Sequence, residues 1–268
     1  GNNRSKELTV AEYYDEYSKR KSQSGAWSAD TRYGNDSLYR THLIPAFGNI
    51  AISKLSRSDY EIFVAKKLKT LRRESLRSIH IAFMAMLNDA IYNGIIERNR
   101  LMRVEIGEST VPPRNKRVAL KDYQLWMGMA KKILTKYEYS IVYLCVFGMR
   151  RGEVCGLRES VVSYDDHPEL ATLHIVDTRT SRTSVYGKGG TKYPSSKRYI
   201  VLDKEGTAAI EYIIKEAKNI RADHGEILHK DDFLLLNPAK NTPYDPGQIN
   251  RWFDRVSEAC RVYISPHM

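Results

Sequence analysis

Cysteine is scarce in this chain, and the scarcity excludes two common ways of building a small fold. Cys145, Cys155 and Cys260 are odd in number and share no metal-type spacing, so neither a disulfide framework nor a zinc site is expected. Long hydrophobic runs are missing as well. No window approaches the roughly 18 consecutive apolar residues of a membrane-spanning helix. The opening Gly1-Asn2-Asn3-Arg4-Ser5-Lys6 lacks the apolar stretch of a secretion signal. A soluble protein of the cytosol, with no membrane partner, is the expectation. A phosphate-binding loop of Gly-Lys-Ser/Thr type is absent, and no carboxylate pair stands out as a metal site. No cofactor or metal is therefore expected.

What is abundant is positive charge. The 268 residues carry a formal net charge of +11, with 42% hydrophobic residues, enough for two domains with a core each. Lys and Arg outnumber Asp and Glu by 18 to 13 in residues 1–110 and by 25 to 19 in residues 111–268. Both halves are basic, so the charge is not a tail. Such a balance points to a polyanion without distinguishing DNA from RNA or an acidic protein surface. Two basic units suit a duplex held between them by salt-sensitive phosphate contacts.

Residues 1–103 read as a helical bundle. Thr9-Val10-Ala11-Glu12 is a capping box that opens a helix through about Lys21, with Val10, Tyr13, Tyr14 and Tyr17 at helical spacing. A second helix runs from Ser28 to about His42 and is expected to stop at Leu43-Ile44-Pro45. A third follows Ser56 and turns Ile62, Phe63, Ala65 and Leu68 inward. A fourth runs from Ser75 to about Asn93 with Ile79, Phe83, Met86, Leu87 and Ile91 on one face. Lys66, Lys67, Lys69, Arg72 and Arg73 form a basic set that could touch phosphates, although taken alone it reads first as a solvated helix face. Residues 104–118 contain Pro112-Pro113, break every periodic pattern and read as an extended linker. Its cations Arg114, Lys116 and Arg117 suit a nucleic-acid backbone or plain solvation.

Residues 119–268 form the second unit, mainly helical with a small inserted antiparallel sheet, which makes the whole chain α+β. Helices are predicted to about Leu134, from Glu138 to Phe147, from Arg150 to about Leu157, from Gly206 to Ala222 and from Pro246 to about Val262. Period-two segments at Thr172–Val176 and Tyr199–Leu202 read as strands, with Gly187-Lys188-Gly189-Gly190 in the turn region between them. A further short strand is predicted at Phe233–Leu236.

The stretch that demands explanation is Gly148-Met149-Arg150-Arg151-Gly152-Glu153, directly behind the apolar run Ile141–Phe147. A guanidinium beside a core requires an anionic partner. Either Arg150 forms a structural ion pair with Glu153 one turn on, or it grips a phosphate while Glu153 steadies its surroundings.

Taken together, these pieces resemble the tyrosine recombinase (phage integrase) family, most like integrases of temperate phages and conjugative transposons. Gly148 to Glu153 with Gly156-Leu157 resembles the first arginine box. Thr191-Lys192-Tyr193-Pro194-Ser195-Ser196-Lys197-Arg198-Tyr199-Ile200-Val201-Leu202 resembles the lysine hairpin, and Ser265-Pro266-His267-Met268 the start of the histidine box. His42-Leu43-Ile44-Pro45-Ala46-Phe47-Gly48 is similar to the family's core-binding domain. The order of the three boxes is the specific part.

The resemblance implies a helical core-binding domain (1–103), a linker (104–118) and a catalytic domain (119–268) that together form a C-shaped clamp on DNA. It implies DNA strand breakage and rejoining through a 3′-phosphotyrosine, and homo-oligomers assembled on paired duplex sites. Arg150, Lys192 and His267 become catalytic residues supported by Glu153 and converge on one pocket. Lys188 is the alternative lysine. Arg179 and Arg182, near the hairpin, join Lys188 and the basic sets above as DNA contacts. The second arginine and the nucleophilic tyrosine of the family pattern fall after Met268, so a fragment that binds DNA without cleaving it is expected. Tyr263 precedes the histidine box and is expected to pack. The alternative is a non-catalytic DNA-binding regulator or architectural protein on the same fold.

Overall fold

The computed structural model describes residues 7–113, 117–165, 168–180 and 197–266, which gather into two compact units that divide at Arg114 and Asn115.

The first unit follows from its helix caps and its tyrosines. Thr9 accepts from the Glu12 amide while the Glu12 carboxylate accepts from the Thr9 amide, and α1 runs Val10–Gln23. Ser28 caps α2 (Ala29–Leu38) and Ser56 caps α4 (Arg57–Leu68), while α5 spans Arg73–Tyr92. Chain direction does not break at Pro45 as the sequence predicts. A single π-helical turn, Tyr39–Leu43, carries α2 into α3 (Ile44–Phe47), with Pro45 in its first turn.

The core is aromatic. Tyr14 stacks on Tyr39 at 3.6 Å, and Phe47 packs against Tyr60, Phe63 and Phe83. Three of the buried phenols donate inside the unit: Tyr13 to Asp89 (2.7 Å), Tyr14 to Asp36 (2.6 Å) and Tyr39 to the Ala82 carbonyl (3.0 Å). On α4 the buried stripe is Tyr60, Phe63, Val64 and Leu68, whereas Ile62 is 66% exposed and Ala65 faces out. The predicted inward set was one position out of phase at each of those two residues.

Residues 104–112 are not a free linker. Val104 is buried in the first core, Thr110 donates its amide to the Leu68 carbonyl (3.1 Å), and Ser109 Oγ donates to the Leu71 carbonyl (2.7 Å). Arg72 Nε reaches the Pro112 carbonyl (2.9 Å) and Arg73 Nε the Ile106 carbonyl (3.3 Å). The segment satisfies orphan carbonyls at the end of α4, which is why it lies down there.

In the second unit α6 (Leu120–Ile133), α7 (Lys136–Leu144), α9 (Lys204–Asp223) and α10 (Pro246–Cys260) enclose a core of Trp126, Ile141, Val142, Ile210, Ile213, Ile249 and Trp252. The short α8 (Arg151–Cys155) lies behind the apolar run. A three-stranded antiparallel sheet runs in the order β1 (Val162–Ser163), β2 (Thr172–Ile175), β3 (Arg198–Val201). Its register pairs Leu173 with Ile200 and Ile175 with Arg198. The last of these pairs marks the end of the sheet that adjoins residues 176–197. A second pair, β4 (Leu236–Asn237) with β5 (Thr242–Pro243), is antiparallel. The sequence showed β2, β3 and the neighbourhood of β4; β1 and β5, two residues each, carry too little periodicity to be seen. Among the described residues no helix is long and apolar enough to cross a membrane.

Candidate active site

The first arginine box is built by a chain reversal onto a buried carboxylate. After α7 the apolar run ends in a 3₁₀ turn, Cys145–Phe147, and Gly148 takes φ +73°, a conformation that side chains disfavour. Met149 is buried, and Arg150 stands in extended conformation as the N-cap of α8. Arginine has no acceptor with which to cap a helix, so the carboxylate one turn on takes over that part of the box. Glu153 Oε2 accepts the Arg150 amide (2.8 Å) and Oε1 accepts Arg150 Nη1 (2.9 Å).

A residue to which the sequence reading gave no role completes the arrangement. Arg198, the first residue of β3, donates Nη1 to Glu153 Oε1 (3.1 Å) and Nη2 to Oε2 (2.9 Å), and Nη2 also reaches the Gly148 carbonyl (3.2 Å). Each carboxylate oxygen thus accepts two hydrogen bonds. Glu153 is 3% exposed, and burial by itself would push its carboxyl up; the hydrogen bonds from Arg198, then those from Arg150, overcome that and hold it below the usual carboxylate range. The ion pair expected from the i,i+3 spacing is present, yet it does not consume Arg150, whose side chain remains 66% exposed. Two guanidiniums on one carboxylate leave a net positive charge directed at an anion from outside.

The glycines of the box have a packing reason. A Cβ on Gly152 would collide with Thr178 Oγ1 and, at 2.8 Å, with the Arg179 carbonyl, and one on Gly156 would sit 3.1 Å from the Asp177 carbonyl. Residues 177–179 therefore lie flat on α8, fixed by the Arg179 amide donating to the Gly152 carbonyl (2.8 Å).

The remaining candidates separate into groups. Lys192, Lys188, Arg182 and His267, with Arg114 and Lys116, lie outside the described residues, as does the Gly187–Gly190 turn. Arg179 is corrected from a surface contact to a buried one. It is 5% exposed, its Nη1 donates to the Tyr244 carbonyl, and its guanidinium lies 5.7 Å from the Phe233 ring, on which Arg158 also packs at 4.7 Å. Arg72 and Arg73 hold residues 104–112, and Lys67 is half-buried beside His42 Nδ1 (3.3 Å). Lys66, Lys69 and Arg117 are exposed. Tyr263 does not pack; it is 74% exposed.

Burial pushes the Cys155 thiol up to about 12 and raises that of Cys145 further, which makes both inert core side chains. Among the described residues no group of three or more His, Cys, Asp or Glu side chains is placed to hold a metal ion. Two concavities, one of about 760 Å³ bordered by Tyr14, Arg32 and Arg40 and one of about 380 Å³ bordered by Arg98 and Asn99, lie in the first unit and are remote in sequence from this box.

The family model for the phage integrase N-terminal SAM-like domain matches residues 9–68. No curated protein matches the sequence. Among solved structures, the Tn1549 transposon integrase (residues 82–397) in complex with a circular intermediate DNA superposes with a TM-score of 0.74 at 19% identity, covering 97% of this chain and 83% of that one. The lambda integrase (residues 75–356) dimer bound to a COC′ core site gives 0.65 at 16% identity with the same coverage. A lambda integrase tetramer bound to a Holliday junction gives 0.65 at 16% identity, covering 97% of this chain and 66% of that one. Residues 9–68 of the first unit therefore match the phage integrase N-terminal SAM-like domain, and over both units the chain has the fold of these transposon and lambda integrases.

Proposed function

We propose that this chain is the DNA-binding and phosphate-gripping part of a tyrosine-type site-specific DNA recombinase acting in the cytoplasm. The observation that carries the reading is the Arg150 guanidinium, exposed yet tethered to a buried, doubly paired Glu153 at a helix cap. A permanently charged planar fork matches two non-bridging oxygens of a phosphodiester. In the pentavalent transition state of strand transfer it neutralises the added negative charge, the kind of preorganised stabilisation that dominates many active sites.

The resemblance assigns the remaining tasks. Lys192 gives the leaving 5′ oxygen its proton, a contribution of roughly 10² to 10⁴ in rate for a general acid, and His267 assists phosphate binding. In this reading the basic surface of the chain binds duplex DNA through salt-sensitive phosphate contacts. Assembly as homo-oligomers on paired sites belongs to the same reading, since strand exchange joins two duplexes.

The test is a binding isotherm on duplex DNA from about 50 to 200 mM salt. Affinity should fall steeply, since each neutralised phosphate releases counterions. Arg150→Ala should leave most of it, because many phosphate contacts persist. Salt-independent binding, or preference for RNA over duplex DNA, would overturn the assignment.

A further inference from the structure

We propose that Arg198 is a positioning residue of this site: its fork fixes both oxygens of Glu153, and Glu153 in turn fixes the Arg150 guanidinium for the anion. What the anion is, a DNA phosphodiester, rests on the recombinase reading; the positioning rests on the geometry alone.

An arginine that is 66% exposed samples many rotamers unless something holds it, and a single exposed ion pair holds little. The acceptor here is different. Glu153 is itself immobilised by two parallel charge-assisted hydrogen bonds from Arg198, in the bidentate arrangement that fixes direction as well as distance. Arg198 also reaches the Gly148 carbonyl, so it ties the carboxylate to the turn that delivers Arg150. Lysine has one point of attachment and cannot span Oε1, Oε2 and a carbonyl oxygen together.

The same contact joins the first residue of β3 to α8. Arg198 stands opposite Ile175 at the end of the sheet. After β2, the Arg179 amide bonds the Gly152 carbonyl and residues 177–179 lie against Gly152 and Gly156. Arg179 and Arg198 are therefore both attached to the one short helix whose cap is Arg150. Displacing Arg198 frees one of these two attachments and the Arg150 tether in a single step.

The experiment uses the 268-residue chain with ¹³C-carboxyl glutamate and ¹⁵N-arginine. In the unsubstituted protein, Arg150 Nη1 should give a slowly rotating, exchange-protected signal, and the Glu153 carboxyl should titrate below an ordinary glutamate. Arg198→Ala should abolish the Arg150 signal and move the Glu153 midpoint upward. Arg198→Lys, which keeps a cation and guards against a folding defect in the alanine variant, should bring the midpoint back down without restoring the signal. An Arg150 signal of wild-type strength in either variant sinks the proposal. Failure of the recombinase reading looks different: the spectroscopic pattern persists while the unsubstituted chain shows no salt-sensitive binding to a duplex.

Discussion

Trp126 and Ser257 meet inside the second unit, where the indole Nε1 of α6 donates to the hydroxyl of α10 at 3.0 Å with both residues almost fully buried. The same hydroxyl accepts from the Ile264 amide (3.3 Å), so one oxygen joins two helices and the segment that leads to Ser265-Pro266. Ser257→Ala leaves an indole donor buried without a partner, which costs about 1–3 kcal/mol. The expected result is a lower denaturation midpoint together with faster hydrogen exchange at the Ile264 amide. In a Trp126→Phe background the cost of Ser257→Ala should shrink, since no indole donor is then left to orphan.

Glu153 gives the second unit an acid limb of known sign. Its carboxyl titrates lower in the folded protein than in the unfolded chain, where about 4.3 is usual. As pH falls, the unfolded state takes up the proton first. The stability from this group is complete above the unfolded value and is lost as pH falls through the folded one. Glu153→Gln should therefore be less stable than wild type at pH 7, by about 1–3 kcal/mol for hydrogen bonds to charged partners. The gap should close on acidification. Urea unfolding followed through Trp126 and Trp252 in a Trp27→Phe background reads it, and a gap that stays constant to pH 3 contradicts the assignment.

The parts of this molecule that sequence displayed are those made by near neighbours. The Thr9–Glu12 capping box and the Arg150–Glu153 pair are each three residues apart, and their geometry is set by one helical turn. What the sequence hid depends on partners brought from afar. Arg198 meets Glu153 across 45 positions, and nothing local distinguishes it from Lys197 beside it. Arg179 reads as a surface cation because charge is normally solvated; a carbonyl from residue 244 and the ring of Phe233 give it a buried site instead. Residues 104–112 lack periodicity, which suggests a linker, yet Ser109 and Thr110 cap the end of α4. Ile62 was assigned inward by its identity, although Tyr60 and Val64 carry the phase of the stripe.

Two glycines separate close approach from mere flexibility. Gly152→Ala drives a methyl group into the backbone of residue 179, and overpacking of this kind costs about 1–3 kcal/mol. It should also abolish exchange protection of the Arg179 amide. Gly128, within α6, has nothing within 4 Å of an added Cβ, so Gly128→Ala should stabilise by about 0.5–1 kcal/mol through helix propensity. Equal effects of the two substitutions on thermal unfolding would remove the packing explanation for the glycines of the arginine box.

The basic set of the first unit should divide by what each side chain already holds. Arg72 and Arg73 bond the carbonyls of Pro112 and Ile106, so their alanine variants should speed exchange at the Thr110 and Val111 amides and loosen residues 104–112 before they alter any binding constant. Lys66 and Lys69 are exposed at the end of α4, where cations also favour the helix dipole. Alanine at either should leave that exchange unchanged while lowering the slope of log affinity against log salt by about 1 for duplex DNA, the mark of one lost phosphate contact. If Lys66→Ala combined with Lys69→Ala keeps the full slope, those two ammonium groups face only solvent.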